Sequence, residues 1–105
     1  MSHVRPWPWP RALAHRGGGT LAPENTLAAI LVGLRHGYRG VEIDAMLPAD
    51  DTPILMHDPV FGRTIDGRGT VSARQASELL MLDAGRWHSA AFAGARVPTL
   101  RQALD

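Results

Sequence analysis

Gly40-Val-Glu-Ile-Asp-Ala-Met-Leu-Pro-Ala-Asp-Asp-Thr-Pro-Ile-Leu-Met-His-Asp58 is the stretch whose reading decides the fold. Its opening, Val41-Glu42-Ile43-Asp44, alternates apolar and acidic residues, the period-two signature of a strand. That period puts Glu42 and Asp44 on one face, about 7 Å apart along the strand. Two carboxylates so placed repel each other unless something positive sits between them. A second apolar run, Pro53-Ile54-Leu55-Met56, ends in His57-Asp58. The residues between Asp44 and His57 are too few for a helical crossover to a parallel strand. The economical solution is a β-hairpin turning at Asp50-Asp51. Counting register from that turn places His57 across from Asp44, on the face of Glu42. An imidazole and two carboxylates then converge, which suggests a hard-metal site with an acid/base beside it.

Working outward, Arg11-Ala-Leu-Ala-His15 reads as a short strand running into the loop Arg16-Gly17-Gly18-Gly19. Pro23-Glu24-Asn25-Thr26 opens a helix in which Leu27, Ile30, Leu31 and Leu34 form one apolar stripe. Gly37, just after His36, supplies the stop signal. Strand, helix and strand make a βαβ unit whose right-handed crossover leaves the two strands parallel neighbours. His15, Glu42 and Asp44 then share the C-terminal rim, where α/β sheets place their chemistry.

Residues 58–97 have another character. Glycines break them into short pieces, with helical character only over Ser72–Leu82, a capping box at Ser72 and Gln75, and a buried face of Ala76, Leu79 and Leu80. They are expected to form an insertion folded over the rim. Pro98-Thr99 starts a new helix, and the chain stops within it. One βαβ unit, a hairpin and a helix start are the opening of a larger α/β fold; a (β/α)₈ barrel needs about 200 residues or more. Residues 1–105 are therefore expected to form a single incomplete domain.

Composition narrows the function classes. Apolar residues make up 45% and charged residues 20% of the 105 positions, ordinary for a globular domain and unlike a disordered one. The formal net charge of +1 gives no reason to expect a nucleic-acid or membrane surface. All the basic residues are Arg, which points to genome composition before function. Without cysteine there is no disulfide framework and no thiolate metal site. No run approaches the ~18 apolar residues of a membrane span, and Met1–Pro10 lacks the apolar centre of a secretory signal. No membrane anchor is expected, and the expected location is cytoplasmic. Trp7 and Trp9 are expected to cover one end of the core, and His3, His36 and His88 to be solvated or structural.

His15-Arg16-Gly17, Pro23-Glu24-Asn25-Thr26, Glu42-x-Asp44 and His57-Asp58 together resemble the glycerophosphodiester phosphodiesterase family. So do Arg63-Thr64, Asp83-Ala-Gly-Arg-Trp87, Phe92-Ala-Gly94 and Val97-Pro98-Thr99-Leu100. The resemblance covers residues 11–105 and rests on the order and spacing of motifs that are individually weak. It implies the N-terminal part of a TIM-type (β/α)₈ barrel of the PLC-like phosphodiesterase type. In that reading residues 11–57 carry the first two barrel strands, a helix and a hairpin, 58–97 the insertion, and 98–105 the start of the next barrel helix.

The implied activity is hydrolysis of a small-molecule glycerophosphodiester to glycerol 3-phosphate and an alcohol, using one divalent cation, Ca²⁺ or Mg²⁺. Carried onto this chain, Glu42 and Asp44 are metal ligands, His15 and His57 the acid/base pair, and Arg16 the phosphate holder. Glu24 and Asn25 either contact substrate or only open the helix; Asp58 either orients His57 or starts a turn. The family's third metal ligand is a Glu on a later strand, expected beyond Asp105. The family's hairpin turn is of the Lys-Asp-Gly type, so Asp51, at the glycine position, must accept a positive φ. The rivals are a catalytically silent module of this fold and a related barrel enzyme acting on intact phospholipids.

Overall fold

The computed structural model describes residues 5–105; His3 lies outside them. Strand β1 (Ala14–His15) and strand β2 (Val41–Glu42) flank helix α1 (Leu27–Arg35). The two strands pair in parallel, Ala14 with Val41 and His15 with Glu42, as a βαβ unit requires. Both strands are shorter than the sequence pattern suggests. β2 stops at Glu42, and the chain resumes as β3 (Ala45–Met46), which pairs antiparallel with β4 (Ile54–Leu55).

Helix α1 begins where Thr26 accepts the Ala29 N–H on its hydroxyl and donates the same hydroxyl to the Pro23 carbonyl. It ends as the sequence signals. Gly37, at φ 88°, donates to Leu34 and Tyr38 donates to Gly33, the paired bonds of a Schellman close. The face of α1 turned inward is built of Ala29 and Gly33. At Gly33 a methyl group would be driven into the Gly17 carbonyl, so the helix lies directly on the loop after β1. The stripe of Leu27, Leu31 and Leu34 points outward, 45–56% exposed.

The hairpin register differs from the count made on the sequence. Ala45 pairs with Leu55 and Met46 with Ile54, and the Met56 N–H donates to the Asp44 carbonyl at 3.0 Å. Met56, not His57, is thus opposite Asp44. The cause is the connection, which is no two-residue turn. It runs from Leu47 to Pro53, turns through an Asp51 N–H to Pro48 bond, and ties Ala49 to Arg74. Asp51 does adopt the positive φ, 58°.

The apolar core lies in the second half. Ile54 and Met56 pack with Ile65, Val71, Ala76, Leu79, Ala84 and Val97. The helical stretch expected over 72–82 is split into a 3₁₀ turn (Val71–Ala73) and helix α2 (Ala76–Leu79), because Arg74 is extended between them. The Ser72–Gln75 capping box is absent; Asp50 approaches the Ala76 N–H instead, at 3.4 Å. Helix α3 (Leu100–Leu104) is opened by a reciprocal Thr99–Gln102 capping box. Trp7 and Trp9 are 67% and 65% exposed and lie outside the apolar core; their Pro-rich run makes no strand pairing to hold them inward. No helix among the described residues is long and apolar enough to cross a membrane.

Candidate active site

The parallel register sets His15 beside Glu42, with the imidazole Nε2 3.9 Å from Glu42 Oε1. The same oxygen accepts the Arg16 backbone N–H at 3.0 Å. Arg16 lies in the left-handed region, φ 54°, which costs a non-glycine residue roughly 1–2 kcal/mol. That bond, and the Asn25 N–H donated to the Arg16 carbonyl at 2.8 Å, hold it there.

Asn25 is also left-handed, φ 56°, and 3% exposed. Its amide grips Asp44 at two points: Oδ1 accepts the Asp44 backbone N–H and Nδ2 donates to Asp44 Oδ2, each at 3.0 Å. Thr26, one residue on, is the true helix cap, so Asn25 is placed to aim a carboxylate and not to open α1.

Glu24 sits between two guanidinium groups. Its Oε1 accepts Arg16 Nη1 at 3.0 Å and Arg63 Nη1 at 2.7 Å, and its Oε2 accepts Arg63 Nη2 at 2.8 Å. Burial pushes the Glu24 carboxyl up, but the bonds from Arg63 and Arg16 outweigh it and leave it below its ordinary value. Arg63 turns its remaining edge to Asp58, Nε to Oδ2 at 2.8 Å and Nη2 to Oδ1 at 3.0 Å. Asp58 Oδ1 lies 2.7 Å from His57 Nδ1. The bonds from Arg63, and then from His57, hold the Asp58 carboxyl well below the usual carboxylate range.

His15, Arg16, Glu24, Asn25, Glu42 and Asp44 therefore gather at the ends of β1 and β2, as the motif spacing suggests. His57 is bonded to Asp58 and not directly to Glu42 or Asp44. It follows the inward-facing Met56 and is held by Asp58, reaching the rest through Arg63 and Glu24. Of Asp58's two readings, the structure shows the one in which it holds His57. Sequence reasoning missed Arg63 as a site residue; its signal was the Arg63-Thr64 motif five residues past Asp58. His36 is exposed, and His88 donates to the Thr20 carbonyl at 2.8 Å, a structural tie from the second half to the loop after β1.

A hard divalent cation takes oxygen ligands, and bound carboxylates are themselves oriented by hydrogen bonds. Glu42 and Asp44 have that chemistry: each has one oxygen engaged by a neighbouring N–H, from Arg16 or Asn25. The donor type fits Ca²⁺ or Mg²⁺, and the number falls short. Among the described residues no three His, Asp or Glu side chains come together at a metal-holding spacing. Water, substrate oxygens or further residues would have to complete a shell.

Residues 15–105 match the glycerophosphoryl diester phosphodiesterase family. A bovine protein, glycerophosphodiester phosphodiesterase 1, is 40% identical over 99% of this chain and 32% of its own length. A glycerophosphodiester phosphodiesterase from Caldanaerobacter subterraneus is 38% identical over 89% of this chain and 38% of its own. The chain thus spans about a third of the curated relatives it matches. Among solved structures, a glycerophosphodiester phosphodiesterase from Agrobacterium tumefaciens superposes with a TM-score of 0.82 at 41% identity, over 86% of this chain and 39% of that one. An Oleispira antarctica phosphodiesterase in complex with the product sn-glycerol-3-phosphate superposes with a TM-score of 0.83 at 43% identity, over 90% and 38%.

Proposed function

The chain belongs to the glycerophosphoryl diester phosphodiesterase family and has the fold of the N-terminal part of its TIM-type barrel. From that premise we propose that it supplies the acidic and histidine side of a site that hydrolyses glycerophosphodiesters to glycerol 3-phosphate and an alcohol. The observation that carries this reading is the rim itself: Glu42 and Asp44, each fixed by its own hydrogen bond, with His15 alongside.

Phosphodiesters are anionic and poorly electrophilic, so the site must offer positive charge where the transition state gathers negative charge. Glu42 and Asp44 would hold a divalent cation, Ca²⁺ or Mg²⁺, which when bound supplies such charge. Arg16 would direct its planar guanidinium to a phosphate oxygen, steadied by Glu24. Of His15 and His57, one takes the proton of the attacking hydroxyl and the other protonates the leaving alkoxide. Asn25 keeps Asp44 aimed. The attacking group is the substrate's own glycerol 2-hydroxyl or a water. Residues 11–57 are the barrel portion in this reading, 58–97 an insertion and 98–105 the start of the next barrel helix.

A second reading has a specific motive. The described residues bring together two metal-type carboxylates and no third, so the chain by itself would be inactive or weak. Both are tested by a hybrid in which this chain replaces the matched N-terminal part of the Caldanaerobacter relative. Glycerol 3-phosphate release from glycerophosphocholine, abolished by EDTA, supports the enzyme reading. A folded hybrid without turnover favours the silent module. Turnover of intact phospholipid, with none of glycerophosphocholine, would move the substrate to a lipid.

A further inference from the structure

Arg63 stands at the junction of the two halves. Its guanidinium makes four hydrogen bonds of 2.7–3.0 Å, two to Glu24 and two to Asp58. Exposed ion pairs are ordinarily worth little, but fork-shaped, bidentate pairing linked into a network is the case in which geometry is fixed. The loop carrying Arg63 is itself fixed: the Gly62 N–H donates to the Ile65 carbonyl at 2.8 Å, and Ile65 is buried in the core.

Asp58 is thereby committed. Bonded to Arg63, its carboxyl stays ionised far into acid, and an ionised carboxylate only accepts. His57 Nδ1, 2.7 Å away, must then be the nitrogen that carries hydrogen. In the neutral ring this leaves Nε2 bare, reversing the preference of a free imidazole for a proton on Nε2.

We infer that Arg63 is a positioning residue: by clamping Asp58 against Glu24 it fixes His57 as the Nδ1–H tautomer, with Nε2 as the atom that exchanges protons with substrate. Its significance for catalysis rests on the phosphodiesterase reading; the tautomer itself does not. Removing the fork frees Asp58 to swing toward water. His57 then drifts to the free-imidazole tautomer, and the proton-exchanging nitrogen turns away from the site. Arg63→Lys keeps the charge but cannot reach both carboxylates in the same plane.

The test is the nitrogen chemical shifts of His57 in the 105-residue chain above the imidazole pKa, for wild type, Arg63→Met and Arg63→Lys. The expected result is Nδ1–H in wild type, a shift toward Nε2–H in Arg63→Met, and an intermediate position in Arg63→Lys. In the hybrid described above, kcat is expected to fall about 10–100-fold in Arg63→Met with KM little changed. A wild-type ring already in the Nε2–H form overturns the inference, as does a folded Arg63→Met variant whose His57 signals match wild type. Should Arg63→Met not fold, Arg63→Lys decides it, since unchanged signals there have the same meaning. If the tautomer moves as expected while the wild-type hybrid turns over no glycerophosphodiester, the positioning role stands and the functional reading falls.

Discussion

The two halves of this chain bury themselves in opposite ways. In residues 14–46 the contact is made by small residues: Ala14, Ala29 and Gly33 are buried, while Leu27, Leu31 and Leu34 face outward. In residues 54–97 the contact is made by large ones: Ile54, Val71 and Leu79 are fully buried. The first arrangement brings backbone close to backbone, Gly33 against Gly17. That closeness sets the loop from which Arg16 and Asn25 reach Glu42 and Asp44. The second arrangement is a packed apolar floor, and what it positions is the loop of Asp58 and Arg63. Precision at the acidic rim comes from close backbone approach; precision at His57 comes from an ion-pair clamp seated on a core.

The largest effects that could break this comparison are catalytic. In the hybrid, His15→Ala and His57→Ala are each expected to lower glycerol 3-phosphate release by about 10²–10⁴-fold, so rates near wild type would remove them from the mechanism. Next come the two kinds of packing. Leu79→Ala, in the floor, is expected to cost about 2–5 kcal/mol, whereas Leu31→Ala, on the outward stripe, should stay within about 0.5 kcal/mol. Equal losses in urea unfolding of the two variants would show that the stripe is buried after all. Asn25→Ala, which removes both part-buried hydrogen bonds to Asp44, is expected to cost about 1–3 kcal/mol and to weaken Ca²⁺ or Mg²⁺ binding by calorimetry.

The smallest effect is acid lability. Glu24 and Asp58 both have folded-state pKa values below their ordinary ones. Their stabilisation is therefore complete above the unfolded values, about 4, and is lost as pH falls through the lower folded values. Urea midpoints should decline from about pH 4.5 downward in wild type and decline less in Arg63→Met. A steeper decline in the variant would contradict the clamp.

Much of the first half was legible in the chain. Val41–Asp44 announced the acidic rim, and Pro23 and Gly37 bracketed α1. The motif order led to a family that the matched residues bear out. Which face of α1 is buried was not legible from periodicity, because hydrophobic size says nothing about how near two backbones must come. The hairpin register failed for a different reason. Asp50-Asp51 has the chemistry of a tight turn, but tethers to Arg74 and Ala76, distant in sequence, draw the loop aside. Arg63 stood in a recognised motif but not as a site residue, because its partner Glu24 lies far from it in the chain and meets it only after folding.

The central claim is that the rim of β1 and β2 is a phosphodiester-cleaving site. Its most direct test is divalent-cation-dependent release of glycerol 3-phosphate from glycerophosphocholine by the hybrid, compared with its Glu42→Gln/Asp44→Asn double variant. The account predicts turnover in the first and none above background in the second, at every Ca²⁺ or Mg²⁺ concentration tried. Undiminished turnover in a folded double variant would contradict it.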